Sequence, residues 1–419
     1  MPNVVLLGTL DTKGQEYAFV RDQIAAAGVT TTVVDAGVFD SPFLEPDVRR
    51  DEVAQAAGVD LQTLADAGDR GSAVESMSRG AEAVVRRLHD EGRLDGIIGL
   101  GGTGGTTLVT RAMRALPVGV PKVMVSTVAS GDTRPYVGAL DITMMYSVVD
   151  IAGVNKISRR ILTNAAGAVS GMVLAPSADG PAGDDRPLIG ATMFGVTTPC
   201  VQRARQRLED KGYEVLVFHA TGTGGQSMEA LARAGLLAGV LDITTTELAD
   251  ELVGGVFSAG PERLTVAGAA GIPQVVSLGA LDMVNFGARD SVPVQFEDRN
   301  LYQHNATTTL MRTTPEETAE LGRRVAERLN TATGPVTLFI PLRGISMIAT
   351  EGSAFYDDEA DRALIGAVKD NLTERIVLCE VDTDINDEAF AVAMADALVD
   401  QLAGTPAEEG TPGGRADRT

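Results

Sequence analysis

DGIIGLGGTGGTTL, residues 95–108, places an apolar run, a glycine-dense loop and the start of a helical pattern end to end. The run from Gly96 to Leu100 is short and almost wholly apolar, as a strand covered on both faces must be. Glycines at 99, 101, 102, 104 and 105 let the backbone turn tightly and approach a neighbour closely. TTLVTRAMRALP then repeats apolar residues at helical spacing. Strand, tight loop and helix in this order form half of a βαβ unit, which predicts a parallel sheet covered by helices.

The same alternation extends in both directions. VVLLGT, EYAFVRDQIAAAG and TTTVVDAG open the chain as strand, helix and strand, and a helical pattern over 73–92 leads into the glycine loop. PKVMVST supplies the next strand, and 147–173 reads as one long helix rich in small residues. APSADGPAGDDRP, 175–187, has no periodicity and reads as a linker. A second set begins at LIGATMFG and runs through CVQRARQRLEDKG, YEVLVFHATG, SMEALARAG, AGVLDITT, PQVVSLGAL, VTLFIPL and IVLCEV to DEAFAVAMADALVDQLA. The expected fold class is therefore α/β, with two Rossmann-like domains, each a mainly parallel sheet with helices on both faces. The first, 1–174, is the expected nucleotide-binding domain, and the second spans 188–402. Their similar openings suggest distant duplicates, and the polar stretch 403–419 reads as a disordered tail.

Composition narrows the function classes. A chain of 419 residues with 44% hydrophobic content can fill more than one core, while a net charge of −22 opposes nucleic acid and anionic lipid. No run approaches the roughly 18 apolar residues of a membrane span, and the start lacks a signal-peptide pattern. Cys200 and Cys379 form neither a disulfide framework nor a metal pair, so a cytoplasmic protein without nucleic-acid or membrane partners is expected.

The glycine loop satisfies two phosphate-binding patterns incompletely. Gly99, Gly101 and Gly104 fit G-x-G-x-x-G without a suitably placed acid downstream, and Gly99 to Thr106 fits a P-loop except that Gly105 replaces the lysine. Its position between strand and helix still favours an anion over the plain alternative, a tight turn for close packing. In the other loop, LGTLDTKGQE, Thr9, Asp11, Thr12 and Lys13 would lie beside it, with Lys13 as the missing cation and Asp11 or Thr12 facing a metal or phosphate. Asp35, ending the second strand, would accept a ribose hydroxyl. In this reading Gly101, Gly102, Thr103, Gly104, Gly105 and Thr106 hold the phosphates, with the helix beginning near Thr106.

Three further features compete for chemistry. Thr221, Gly222, Thr223, Gly224 and Gly225, after His219, resemble a second anion cradle. Cys200 lies in a helical first turn, with Thr198 as cap, where a thiol can be activated and His219 could assist it. An inert small hydrophobe is the plainer reading of that cysteine. RNLYQHNATTTLMRTTPEE, 299–317, gathers Arg299, His304, Asn305 and Arg312 without clear periodicity, before a capping box at Thr314 and Glu317. DTDIND and YDDEAD read as acid-rich helix starts rather than as metal loops, and no metal-ligand set is legible among the side chains.

Taken in order, LGTLDTKG, GLGGTGGTTL, PKVMVST, DIAGVNKIS, TMFGVTTPCV, VLVFHATGTGG, LGALDMVNFG and YQHNATTTLMRTT resemble the ATP-binding family typified by the tomato mosaic virus resistance protein. The likeness covers residues 3–402. It implies two Rossmann-like subdomains, self-association as a homodimer or higher homo-oligomer, and ATP with Mg2+ in the amino-terminal half. Residues matching that implication are Thr9, Asp11, Thr12, Lys13 and Gly101 to Thr106.

The leading expectation is an ATP-binding protein whose phosphates are held by loops 99–107 and 9–13. A second is a metabolic enzyme using Cys200, His219, His304 or Arg312 on a small carbonyl or phosphorylated substrate, in the second domain or between domains. A third is a regulatory scaffold gated by nucleotide.

Overall fold

The computed structural model describes residues 1–39, 43–175 and 186–404. Most of the expected linker, 175–187, and of the expected tail, 403–419, lies outside the described residues. The chain divides into two compact units, 1–184 and 185–419.

In chain order the first unit contains β1 (Asn3–Gly8), α1 (Leu10–Ala26), β2 (Thr30–Asp35), α2 (Arg50–Ala56), α3 (Leu61–Ala67), α4 (Arg70–Asp90) and β3 (Gly96–Gly101). There follow α5 (Thr103–Arg114), β4 (Lys122–Ser126), α6 (Arg134–Val137), β5 (Thr143–Tyr146) and α7 (Lys156–Leu174). The five strands form one parallel sheet in the order β2-β1-β3-β4-β5. Alternate side chains feed two cores. Val5, Leu7 and Ile97 pack with residues of α4 and α5, whereas Val4, Leu6 and Ile98 pack with α1 and α7. The winding reverses beside β1, so a crevice opens at the carboxyl ends of β1 and β3, where doubly wound sheets hold ligands.

Tyr17 of α1 marks that opening. Register pairing of β1 with β3 ends at Leu7 and Gly99. Beyond it the buried phenol donates to the Leu7 carbonyl at 2.5 Å and accepts the Leu100 amide at 2.7 Å. A Cβ on Gly8 would lie 2.0 Å from this hydroxyl, which is why glycine is needed there. Burial, first of all, raises the phenol's pKa, so it stays protonated and able to donate.

The stretch 147–173 is not one helix. α7 begins only at Lys156, because the Asn155 side chain accepts the amides of Ile157 and Ser158 and so ends the preceding loop. Gly153, with φ of 78°, supplies the left-handed turn before it.

The second unit contains β6 (Leu188–Met193), α8 (Thr198–Asp210), β7 (Glu214–His219), α9 (Thr223–Arg233), β8 (Gly239–Thr244), α10 (Glu247–Val253) and α11 (Val266–Ala269). It continues through β9 (Gln274–Gly279), β10 (Met283–Phe286), β11 (Leu301–Asn305), β12 (Thr308–Arg312), α12 (Pro315–Asn330), β13 (Val336–Pro341), α13 (Asp358–Asn371), β14 (Val377–Val381) and α14 (Glu388–Gly404). Its parallel sheet runs β7-β6-β8-β9-β13-β14, so both units share the winding in which the second strand flanks the first and the third lies on its other side. Helices again cover both faces: α12 and α13 pack on Val276 and Leu338, α8 and α14 on Ile189 and Leu241.

A three-stranded antiparallel sheet, β10-β12-β11, was not legible in the sequence. β12 is buried at four successive positions and β11 exposed at four, so neither strand alternates. The capping box at Thr314 forms as expected: its hydroxyl accepts the Glu317 amide, and the Glu317 carboxylate accepts the Thr314 amide at 2.8 Å. Asp357 and Asp387 likewise accept amides of their helix first turns.

Candidate functional site

At the crevice of the first unit lies a cavity of about 360 Å3, walled by the loop after β1, the loop after β2, the start of α5, and α3 with α4. Its polar lining side chains are Thr9, Asp11, Thr12, Asp69 and Arg70, and Gly104 and Gly105 line it as well. The loops after β1 and β3 thus face one space.

The helix after the glycine loop begins at Thr103, earlier than expected, with Gly102 in an extended conformation as its N-cap and no side-chain cap. Gly104 and Gly105 are consequently first-turn residues. The early amides of an α-helix have no partner within it, and they carry the positive end of the helix dipole. A Cβ on Gly101 would lie 2.9 Å from the Gly105 Cα, so this glycine permits the strand-to-helix turn. At Gly104 a Cβ would meet nothing closer than Val74 at 3.8 Å and Arg70 at 3.9 Å, so this glycine faces open space.

Several sequence-predicted residues are engaged elsewhere. Thr106 is fully buried, its hydroxyl donating to the Gly102 carbonyl at 2.8 Å and paired with Ser126 Oγ at 2.6 Å, so it does not face the cavity. Lys13 interrupts the helical geometry of α1, with φ of −130°, and its ammonium donates to the Ile151 carbonyl rather than joining the cavity wall. Asp35 is buried, its Oδ1 accepting the Leu10 amide at 3.1 Å and the Gly37 amide at 2.9 Å. Burial raises its pKa against those amides, and it serves as a strut between the two loops rather than as a ribose acceptor.

The cation beside Gly104 is instead Arg70, the first residue of α4, exposed and without a hydrogen-bond or ion-pair partner among the described residues. The sequence signal was the N-cap aspartate before it: Asp69 accepts the Gly71 amide, which fixes where α4 starts. Asp11 remains at the cavity wall. Its Oδ2 accepts the amides of Val38 and Phe39 at 3.0 and 3.2 Å, while Oδ1 is buried without a partner. Thr9 and Thr12 pair through their hydroxyls at 2.8 Å.

The second cradle is filled from within. The amides of Gly222 and Gly225 donate to Glu247 Oε1 at 2.7 and 3.0 Å, and a Cβ on Gly225 would collide with Oε2 at 2.1 Å. Thr221, Thr223 and Gly224 belong to the same turn, so the expected external anion is replaced by a fully buried carboxylate of the chain itself. Glu247 in turn accepts Arg263 Nε at 2.7 Å, and Arg263, also buried, reaches Asp242 at 2.5 Å and Glu229 at 3.5 Å. Burial opposes the guanidinium charge, but these carboxylates outweigh it and hold Arg263 ionised. Burial likewise raises Glu229 and Glu247.

The catalytic candidates do not assemble. Cys200 is fully buried in the core, where burial pushes its thiol up to about 12, and the helix cap before it is Thr197 rather than Thr198. His219 is exposed, with Nδ1 3.2 Å from the Met193 carbonyl, and no hydrogen bond among the described residues joins it to Cys200. His304 is exposed on β11. Arg312 is buried and spent on the Phe355 carbonyl, Thr313 Oγ1 and Asp361, each at 2.8 Å. Arg299 forms a paired bond with Glu317, and Asn305 caps the turn at Thr307.

Comparison with known proteins adds relationship but no reaction. Residues 2–178 match the N-terminal domain, and 186–402 the C-terminal domain, of a family described as Uncharacterised protein family (UPF0261). A UPF0261 protein of Clostridium tetani is 54% identical over 402 residues, covering 95% of this chain and 98% of that one. The ToMV resistance protein Tm-1(GCR237) of Solanum lycopersicum is 40% identical over 423 residues, covering 95% of this chain and 56% of that protein. Among solved structures, a UDP-N-acetylglucosamine 2-epimerase from Rickettsia bellii aligns over 66% of this chain and 78% of its own at 11% identity, with a TM-score of 0.23. At that score the likeness adds nothing to the fold read from strand order. No described helix is long and apolar enough to cross a membrane.

Proposed function

Because the chain belongs to the uncharacterised protein family UPF0261, whose name carries no activity, we propose a function from the site itself: the first unit binds a nucleotide, ATP with Mg2+, in the cavity between β1 and β3. One observation carries this reading. An uncapped, glycine-lined helix start opens, at the winding reversal, onto a cavity that also presents an arginine with no partner among the described residues. The phosphates lie against the first-turn amides of α5, where backbone N–H groups and the helix dipole favour negative charge. Arg70 supplies the charge that the sequence pattern assigned to Lys13. Its planar fork suits phosphate oxygens.

The residues present fit a magnesium ion carried in with its ligand. Mg2+ is commonly held by one or two carboxylates together with substrate phosphates and water, and Asp11, a lining residue that keeps a buried Oδ1 without a partner, is a carboxylate available there beside Asp69. Thr9 and Thr12 are the neighbouring oxygen donors. Bound there, the ion would neutralise part of the phosphate charge, which matters in a chain whose net charge is −22.

Calorimetric titration with ATP and Mg2+ tests the assignment. Arg70→Ala is expected to weaken binding by about 10- to 100-fold, the range of one charge-assisted hydrogen bond, and Lys13→Ala to leave it within a few-fold. Equal affinity in wild type and Arg70→Ala would remove Arg70 from the site. The enzyme reading of the second unit gains no supporting observation, since its candidates are buried, paired or scattered.

A further inference from the structure

The sheet of the first unit treats its two edges differently. At β2 the chain covers its own edge: the Val33 amide donates to Asp47 Oδ2 at 2.7 Å, the Val33 carbonyl accepts the Val48 amide at 3.0 Å, and Val34 bridges Val48. At β5 the Ser147 amide, just past the strand, donates to the Ser126 carbonyl of β4, so Thr143 and Met145 also turn their backbone groups toward β4. Alternation then points the N–H and C=O groups of Met144 and Tyr146 outward. No hydrogen bond among the described residues reaches those outward groups.

An open row of backbone donors and acceptors is a template for another strand, and proteins ordinarily blunt it with charge, proline or a bulge. Ile142 to Val149, ITMMYSVV, holds neither charge nor proline, and the pairing of β5 with β4 keeps one register. Tyr146 and Val148 are 43% and 59% exposed. Met145 packs on the core that α7 covers, and α7 carries no charge from Ile161 to Leu174 although Thr163, Asn164 and Met172 are exposed. A four-residue seam falls short of the roughly 800 Å2 per partner that a stable dimer buries, and this uncharged flank is surface available to extend it.

We propose that β5 pairs antiparallel with β5 of a second copy of this chain across a two-fold axis, so that the two parallel sheets continue as one. Such a contact needs a patch that complements itself, and an antiparallel strand pair does so by construction. Centred on Met145, the register lets Met144 of each copy exchange both backbone hydrogen bonds with Tyr146 of the other. It also sets Asp141 opposite Val149 and Asp150 opposite Leu140, so no acid of this segment faces another. That matters because a net charge of −22 drives copies apart wherever their charged surfaces meet.

Sedimentation equilibrium of the full chain tests the seam. Wild type is expected to be a dimer at micromolar concentration. Tyr146→Lys puts a charge on the edge, and Tyr146→Pro removes an outward N–H that the single chain leaves unpaired. Each is expected to weaken the dimer by about 100-fold or more while the far-ultraviolet circular dichroism stays that of wild type. Tyr302→Lys, on the bulged edge strand β11, is expected to leave the dimer intact. Hydrogen exchange reads the seam without a substitution: the amides of Met144 and Tyr146 are expected to exchange more slowly as protein concentration rises. A monomeric wild type, a dimer that withstands Tyr146→Lys, or exchange at those amides that is independent of concentration would overturn the proposal.

Discussion

Two glycine-rich turns lead into two helices, and they end in opposite electrostatic states. At α5 the helix start is uncapped, a Cβ on Gly104 would have open space, and the cation beside it, Arg70, has no partner among the described residues. At α9 the comparable amides are taken by Glu247, a Cβ on Gly225 has no room, and the cation, Arg263, is buried among carboxylates. Sequence composition alone does not separate GGTGGT from TGTGG. What separates them is whether a distant acid folds back onto the amides. A phosphate-like loop is therefore a vacancy only if the rest of the chain leaves it one.

That contrast can be attacked from both sides. The largest effect is expected from Glu247→Ala, which strips the cap from α9 and leaves Arg263 short of a partner. Removing one member of a buried ion pair costs about 3–5 kcal/mol, so the urea midpoint of the second unit should fall sharply, and a change below about 1 kcal/mol would mean the cradle does not need its internal anion. Next comes a matched pair of alanines. Gly225→Ala drives a methyl into the Glu247 carboxylate and should cost about 1–3 kcal/mol, as overpacking does. Gly104→Ala, in open space near a helix start, should be neutral or slightly stabilising while weakening ATP binding, read in one set of melting and titration curves. If the two alanines behaved alike in stability, the distinction between the loops would fail.

The smallest effect concerns pH. The second unit holds several buried or partly buried acids whose pKa burial raises, among them Asp250, lifted to about 7, and the partly buried Asp361, lifted to about 6. A carboxyl raised in the folded state binds its proton more tightly there than when unfolded. Its contribution to stability is thus complete below its unfolded value near 3.8 and is lost as pH rises through the folded value. Hydrogen exchange, corrected for intrinsic rates, should show protection around β10 declining between about pH 4 and 7 more than protection around β3. The first unit has Asp35 as its raised, buried carboxyl among the described residues.

The parallel sheets were legible because buried strands and amphipathic helices follow their own periods. The antiparallel strands were not, because β12 is covered on both sides while β11 is exposed along its length, which erases alternation. α2 and α3 passed unread for a different reason: they are seven residues each, and α3 buries none of them, so neither offers a periodic face. In the site, the loops after β1 and β3 were readable from glycine spacing and strand ends. Which cation lies beside Gly104 was not, since that depends on the direction each backbone gives its side chain. Lys13 sits at an interrupted turn that sends its ammonium to Ile151, and Arg70 follows an N-cap that points it at Gly104. Glu247 was missed because its partner loop lies more than twenty residues upstream, a pairing that only the finished fold creates.

The Tyr17 phenol spaces the two strand ends at the crevice. Strand pairing would close β1 and β3 together to their ends, but one hydroxyl stands in the ladder where the next pair of hydrogen bonds belongs, propping the two strand tips apart. The aperture is therefore set by the seat of α1 and not by the sheet alone.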